Sequence, residues 1–112
     1  MIRLTVLYNL PPGSDEVEFL RWRLGEHQES NAAMPGVVTT DFGRIDQQWT
    51  PAGIQPGAPY RFMTVADFAD REAFERAFLT QEAQDKLRED IKKIDNPLFL
   101  VSEILISTQP EA

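Results

Sequence analysis

One histidine, two tyrosines and two tryptophans hold most of the chemistry open to this chain, because its 112 residues include no cysteine. Thiol nucleophiles, disulfides and thiolate metal sites are thereby excluded. His27 is the only histidine, and an imidazole titrates close enough to neutrality to act as general acid or base. Partial burial lowers its pKa and favours the neutral base. The plainer reading is a packed histidine bonded to a backbone carbonyl, or one meeting the C-terminal dipole of its helix.

Tyr8 and Tyr60 lie at the end and the start of predicted strands. A phenol can donate to a substrate carbonyl or stabilise an enolate, although strand tyrosines are more commonly half-buried packing with a wet hydroxyl. Trp49 opens a segment rich in proline and glycine, where it suits the wall or lid of a pocket for an aromatic molecule, or a contact across an interface. Trp22 falls opposite the apolar stripe of its helix and reads as peripheral packing or partner contact.

A lone histidine without cysteine gives no zinc pattern, and no His/carboxylate cluster has ligand spacing. Asp85 and Glu89, four apart, read as a solvated helix face. No phosphate-cradling glycine loop, nucleophile elbow or dinucleotide fingerprint is present. The expectation is no metal and no cofactor. The net charge of −7 and pI near 4.6 argue against nucleic acid, which needs a basic patch, and against docking to an anionic membrane surface. No stretch approaches the roughly 20 apolar residues of a membrane span. The N-terminus alternates like a strand and lacks a leader's apolar run, so a cytoplasmic location is the default expectation.

These residues must be held by short alternating elements. Ile2 to Asn9 alternates as a strand, with Ile2, Leu4, Val6 and Tyr8 on one face. Pro11-Pro12-Gly13 breaks it, and Ser14 reads as the N-cap of a helix with Asp15 and Glu16 in its first turn. Val17, Leu20, Leu24 and His27 recur at helical spacing and read as one buried stripe, ending near Asn31 before Pro35-Gly36. Val37 to Ile45 is a second strand. Residues 47–59 form a long connection of the kind that often carries function, or else a hairpin insertion. Tyr60 to Phe68 is a third strand. Asp70 caps a helix with Ala73, Phe74, Ala77 and Phe78 on its apolar face, and Thr80 caps another carrying Ala83, Leu87, Ile91 and Ile94. Leu98 to Ile106 reads as a final strand buried on both faces.

The order strand, helix, strand, strand, helix, strand is the split βαβ pattern of an α+β, ferredoxin-like βαββαβ fold with a four-stranded antiparallel sheet. It predicts one domain over residues 1–108 and a disordered tail at 109–112. Helices cover one sheet face. The other, read as carrying Leu7, Met63, Val65, Phe99, Val101 and Leu105, is too apolar to stay in water. A homodimer packing sheet to sheet is the simplest cover.

Phe19-Leu20-Arg21-Trp22-Arg23-Leu24-Gly25-Glu26-His27, followed by Pro35-Gly36-Val37, resembles the EthD-like family of the dimeric α+β barrel superfamily. Pro59-Tyr60 opening the third strand, Asp70-Arg71-Glu72-Ala73-Phe74 opening the next helix, and Leu98 to Ile106 closing the domain extend the likeness over nearly the whole chain. Relatives often carry a proline two residues after the histidine, where this chain has Glu29. The resemblance implies a fold and a cavity position beside His27 in a superfamily of small oxygenases, isomerases, cyclases and haem enzymes.

The function expected is that of a cofactor-independent enzyme, of isomerase, cyclase or oxygenase type, acting on a small apolar or aromatic substrate. His27 is its acid/base, Tyr8 and Tyr60 its polar anchors, and Trp49 and Leu24 touch the substrate. One alternative is a non-catalytic ligand-binding or accessory protein of a degradation or biosynthetic pathway. Another is a haem protein with His27 at or near the iron.

Overall fold

A computed structural model of the chain describes residues 1–110, so the last two residues of the expected tail fall outside the described range. The chain is α+β. Strands β1 (Ile2–Asn9), β2 (Val37–Arg44), β5 (Phe62–Phe68) and β6 (Asp95–Glu103) form an antiparallel sheet in the order β2-β5-β1-β6. Helices α1 (Glu16–Trp22) and α2 (Gln28–Ala32) follow β1, and α3 (Arg71–Phe78) and α4 (Gln81–Asp90) follow β5. Among the described residues no helix is long and apolar enough to cross a membrane.

The alternation of β1 sets the core. Ile2, Leu4, Val6 and Tyr8 are all buried under the helices, facing Phe68, Ala66, Thr64 and Phe62 across β5. Phe62 and Phe68 are fully buried, each contributing about 2–3 kcal/mol of hydrophobic stabilisation. Asp70 and Thr80 cap α3 and α4 through bonds from the Ala73 and Ala83 amides. Asp15, rather than Ser14, caps α1, accepting from Val17 and Glu18 while the Ser14 hydroxyl turns back to the Pro11 carbonyl. Gly36 has φ +80°, and a Cβ there would lie 2.9 Å from that of Ala73, so only glycine lets the turn before β2 approach α3.

Of the two readings of residues 47–59, the hairpin insertion holds rather than the long irregular connection: Gln47–Thr50 (β3) and Gly53–Pro56 (β4) pair, with Trp49 opposite Ile54 and both exposed. Pro56 is tolerated because a two-stranded ribbon consists of edges. The last strand starts at Asp95 and ends at Glu103, three residues earlier than expected, and forms an edge rather than a strand buried on both faces. Its register shifts between Leu7 and Asn9, where Asn96 takes φ +52°, a conformation asparagine accepts more readily than most residues. Consequently Phe99 and Val101 pair with Val6 and Leu4 on the helix side, and Leu98 and Leu100 join Leu7, Met63 and Val65 on the open face. That face also carries a polar knot. Arg3 donates twice to Asp67, at 2.8 and 3.1 Å, and Thr39 adds a third bond. The guanidinium holds the Asp67 carboxyl below its usual value.

Candidate functional site

Small side chains leave room between the sheet and the helices. Ala66 and Thr64 on β5 face Ala77 and Ala83 across the layers, and a cavity of about 550 Å³ opens there. Its floor is Leu4, Val6 and Tyr8. Phe19, Trp22, Arg23 and His27 from the first helical segment and Phe78 and Leu87 from the second also line it, and Asp90 lines it beside His27. This volume suits a small organic molecule.

The segment joining α1 to α2 places the reactive groups. Arg23–His27 is wound as a π-helix between the two α-helical pieces, a distortion frequent at functional sites. The wider turn brings residues five apart into register, so the rings of Trp22 and His27 lie 4.3 Å apart and tilted by 35°. The buried face is not the expected stripe. Leu24 is 62% exposed and Val17 66%, whereas Phe19 and Arg23 point inward. Trp22, expected at the periphery, lines the cavity.

The His27 side chain is 16% exposed, with Nδ1 3.6 Å from an Asp90 carboxylate oxygen. That gap exceeds a hydrogen bond, yet it sets a carboxylate beside one ring nitrogen. Burial, reinforced by the charges of Arg23, Lys86 and Lys93, lowers the imidazole pKa from 6.5 to about 4. Burial likewise raises the Asp90 carboxyl. At neutral pH the ring is therefore an unprotonated base. Lys86 bonds the Ser30 hydroxyl, linking α4 to the residue after Glu29 beside this wall.

Arg23, which sequence reasoning missed, is 1% exposed. Its guanidinium donates to Gln28 at 2.7 Å and to Thr64 at 3.1 Å, and stacks 4.2 Å over the Phe42 ring. Thr64 also lies 3.4 Å from the Tyr8 hydroxyl. Burial lowers the Arg23 pKa, and the nearby Tyr8 hydroxyl partly offsets the shift. The signal was the spacing Phe19, Arg23, His27, a four-residue stripe broken by a charge.

Of the residues singled out beforehand, the cavity gathers His27 and Tyr8. Leu24 faces solvent. Trp49 is 69% exposed on the β3–β4 hairpin. Tyr60, half-buried just before β5, is likewise absent from the cavity wall. Among the described residues no three histidine or acidic side chains converge as metal ligands.

The model of the REDY-like protein HapK family matches residues 2–105. HapK from Hahella chejuensis is 21% identical, with a TM-score of 0.71 over 100% of both chains. An ethyl tert-butyl ether D (EthD) family protein from Bacillus halodurans is also 21% identical, with a TM-score of 0.72 over 94% of this chain and 99% of its own. SnoaB from Streptomyces nogalater, a cofactor-independent oxygenase, is 14% identical, with a TM-score of 0.68 over 98% of this chain and 97% of its own. No curated protein sequence matches the chain.

Proposed function

The chain belongs to the REDY-like HapK family, an EthD-like group with the dimeric α+β barrel fold, and from this we propose a cytoplasmic homodimeric enzyme that needs no cofactor. Each subunit is one domain over residues 1–108. Its substrate is a small apolar or aromatic molecule, and its chemistry is the transfer of a proton from an acidic C–H or O–H group.

The observation that carries the reading is a neutral imidazole facing a cavity large enough for such a molecule. His27 takes the proton, and the adjacent Asp90 carboxylate favours the imidazolium that results. Trp22 packs against the ring and limits its rotation. The Tyr8 hydroxyl offers a hydrogen bond to the substrate oxygen. Apolar walls keep water away from the carbanion or enolate formed, which can then be reprotonated, closed into a ring or oxidised by dioxygen. SnoaB lends support to the oxygen branch because it is a cofactor-independent oxygenase. Leu24, Trp49 and Tyr60 have no part in this reading.

The homodimer is supported by the open sheet face. Leu98 and Leu100 are 39% and 44% exposed beside Leu7, Met63 and Val65. The Cα radius of gyration, 15.4 Å, exceeds the roughly 13 Å of a compact domain of about this size. This agrees with a subunit whose hairpin and edge strand reach toward a partner.

The test is turnover under air of a panel of aryl ketones, phenols and hydroquinones by wild type and His27→Gln. Substrate loss that requires His27 is the expected result. Equal loss with both proteins, or none with either, overturns the enzyme and leaves a binding or accessory protein.

A further inference from the structure

We propose that the cavity selects an aromatic molecule bearing one anionic oxygen, a carboxylate, phenolate or enolate, and that Arg23 binds that oxygen. The inference rests on the reading of the cavity as a small-molecule site and names the substrate class.

Arg23 is a fully buried cation with no carboxylate within ion-pair distance among the described residues, and the titratable group that acts on it is the Tyr8 phenol. Its hydrogen bonds go to Gln28 and Thr64, both neutral. A guanidinium has five N–H donors and stays charged. A charge removed from water without a counter-charge is destabilising unless another group compensates it.

The other arginines of this protein show the contrast. Six of the seven, Arg3, Arg21, Arg44, Arg61, Arg76 and Arg88, each reach an aspartate or glutamate within 4 Å, and the seventh, Arg71, is exposed to water. Phe42 beneath the guanidinium and the bonds to Gln28 and Thr64 fix its plane, and a fixed fork is the donor geometry that suits a planar oxyanion. The wall agrees in sign. In a chain of net charge −7, Arg23, Arg76 and Lys86 line the cavity against Glu82 and Asp90.

An oxyanion held at Arg23 also fits His27. Both side chains line one cavity and both come from the same π-wound segment. A negative charge developing on the substrate as the imidazole takes its proton would therefore be stabilised by a cation already in position.

Calorimetric titration of the full chain at neutral pH with 2-naphthoate, and with its neutral counterpart 2-naphthamide, tests the proposal. The expected result is binding of the naphthoate about tenfold or more tightly than the amide, the scale of one charge-assisted hydrogen bond. Arg23→Gln should abolish that preference, weakening naphthoate binding by about tenfold or more relative to the amide measured on the same variant. Arg23→Lys, which keeps the charge, should retain part of the preference. The wild-type comparison needs no variant, so it decides the anion preference even if Arg23→Gln fails to fold. Equal affinity for both probes, or a preference that survives Arg23→Gln, overturns the proposal and leaves the small-molecule cavity standing. Failure of both probes to bind overturns both.

Discussion

The indole of Trp22 covers the imidazole of His27 with 4.3 Å between ring centroids, a contact between residues five apart that an ordinary α-helix, which stacks residues three and four apart, does not make. The pair helps bury the histidine, and burial is the leading cause of its depressed pKa of about 4. Because His27 is the only histidine, its ring protons can be followed by NMR without assignment.

The ring should titrate near pH 4 rather than 6.5. Between these values the unfolded chain binds the proton and the folded chain does not. Stability is therefore undiminished above the unfolded pKa and falls as pH drops toward the folded one. The loss should reach about 3 kcal/mol by pH 4. His27→Gln should flatten that slope in urea unfolding curves. A wild-type midpoint near 6.5 would show the ring to be solvated, and one above it would show the Asp90 charge outweighing burial.

Asp90 stands 3.6 Å from Nδ1, and in the proposed reaction it acts through the ring rather than on the substrate. Asp90→Asn keeps the shape and removes the charge. We expect kcat of the His27-dependent reaction to fall roughly tenfold or more, with KM nearly unchanged. A rise in KM at constant kcat would instead make Asp90 a substrate contact.

Leu100 sits on the open sheet face opposite Thr5, with Leu98 two residues along its strand and Leu7 on the diagonal. A glutamate there adds a charge to the surface assigned to the second subunit. Sedimentation equilibrium should give a dimer for wild type and a monomer for Leu100→Glu, each with the same far-UV circular dichroism. A monomeric wild type would remove the dimer from the account.

Gly36 combines a φ of +80° with a Cβ position 2.9 Å from the Ala73 methyl. Gly36→Ala should cost about 2 kcal/mol or more, from left-handed strain and overpacking together. The urea midpoint should fall without a change in m. Adding Ala73→Gly should recover only the share due to the clash. Full recovery would show that the backbone conformation is not strained.

Much of this architecture was legible in the residues because local and global signals agree. The alternation from Ile2 to Tyr8 is the core face of the central strand, and Ala73, Phe74 and Ala77 are buried as their spacing implied. Asp70 and Thr80 cap the helices they precede. The open face was legible only in part. The parity of β6 depends on one irregularity near Asn96 and Pro97, and a shift of one residue exchanges the two faces. The chain's alternation alone does not reveal such a bulge.

The site was less legible than the fold. His27 stood out by being alone, and Tyr8 by strand parity. Arg23 did not, because a charge at the centre of a helix reads as solvated. The π turn that begins at Arg23 and brings Trp22 against His27 depends on hydrogen bonding rather than on residue type. Val17, Leu20 and Leu24 offered a cleaner apolar stripe, yet Val17 and Leu24 are exposed.

The central claim is that His27 takes a proton from a substrate held in the cavity. Deuterium incorporation at the carbon beside the carbonyl of 2-tetralone, followed by NMR in heavy water, tests it without requiring the natural substrate. The account predicts exchange with wild type faster than buffer and faster than His27→Gln by about two orders of magnitude, with the rate falling only as pH drops toward 4. Wild-type exchange no faster than that of His27→Gln would contradict it.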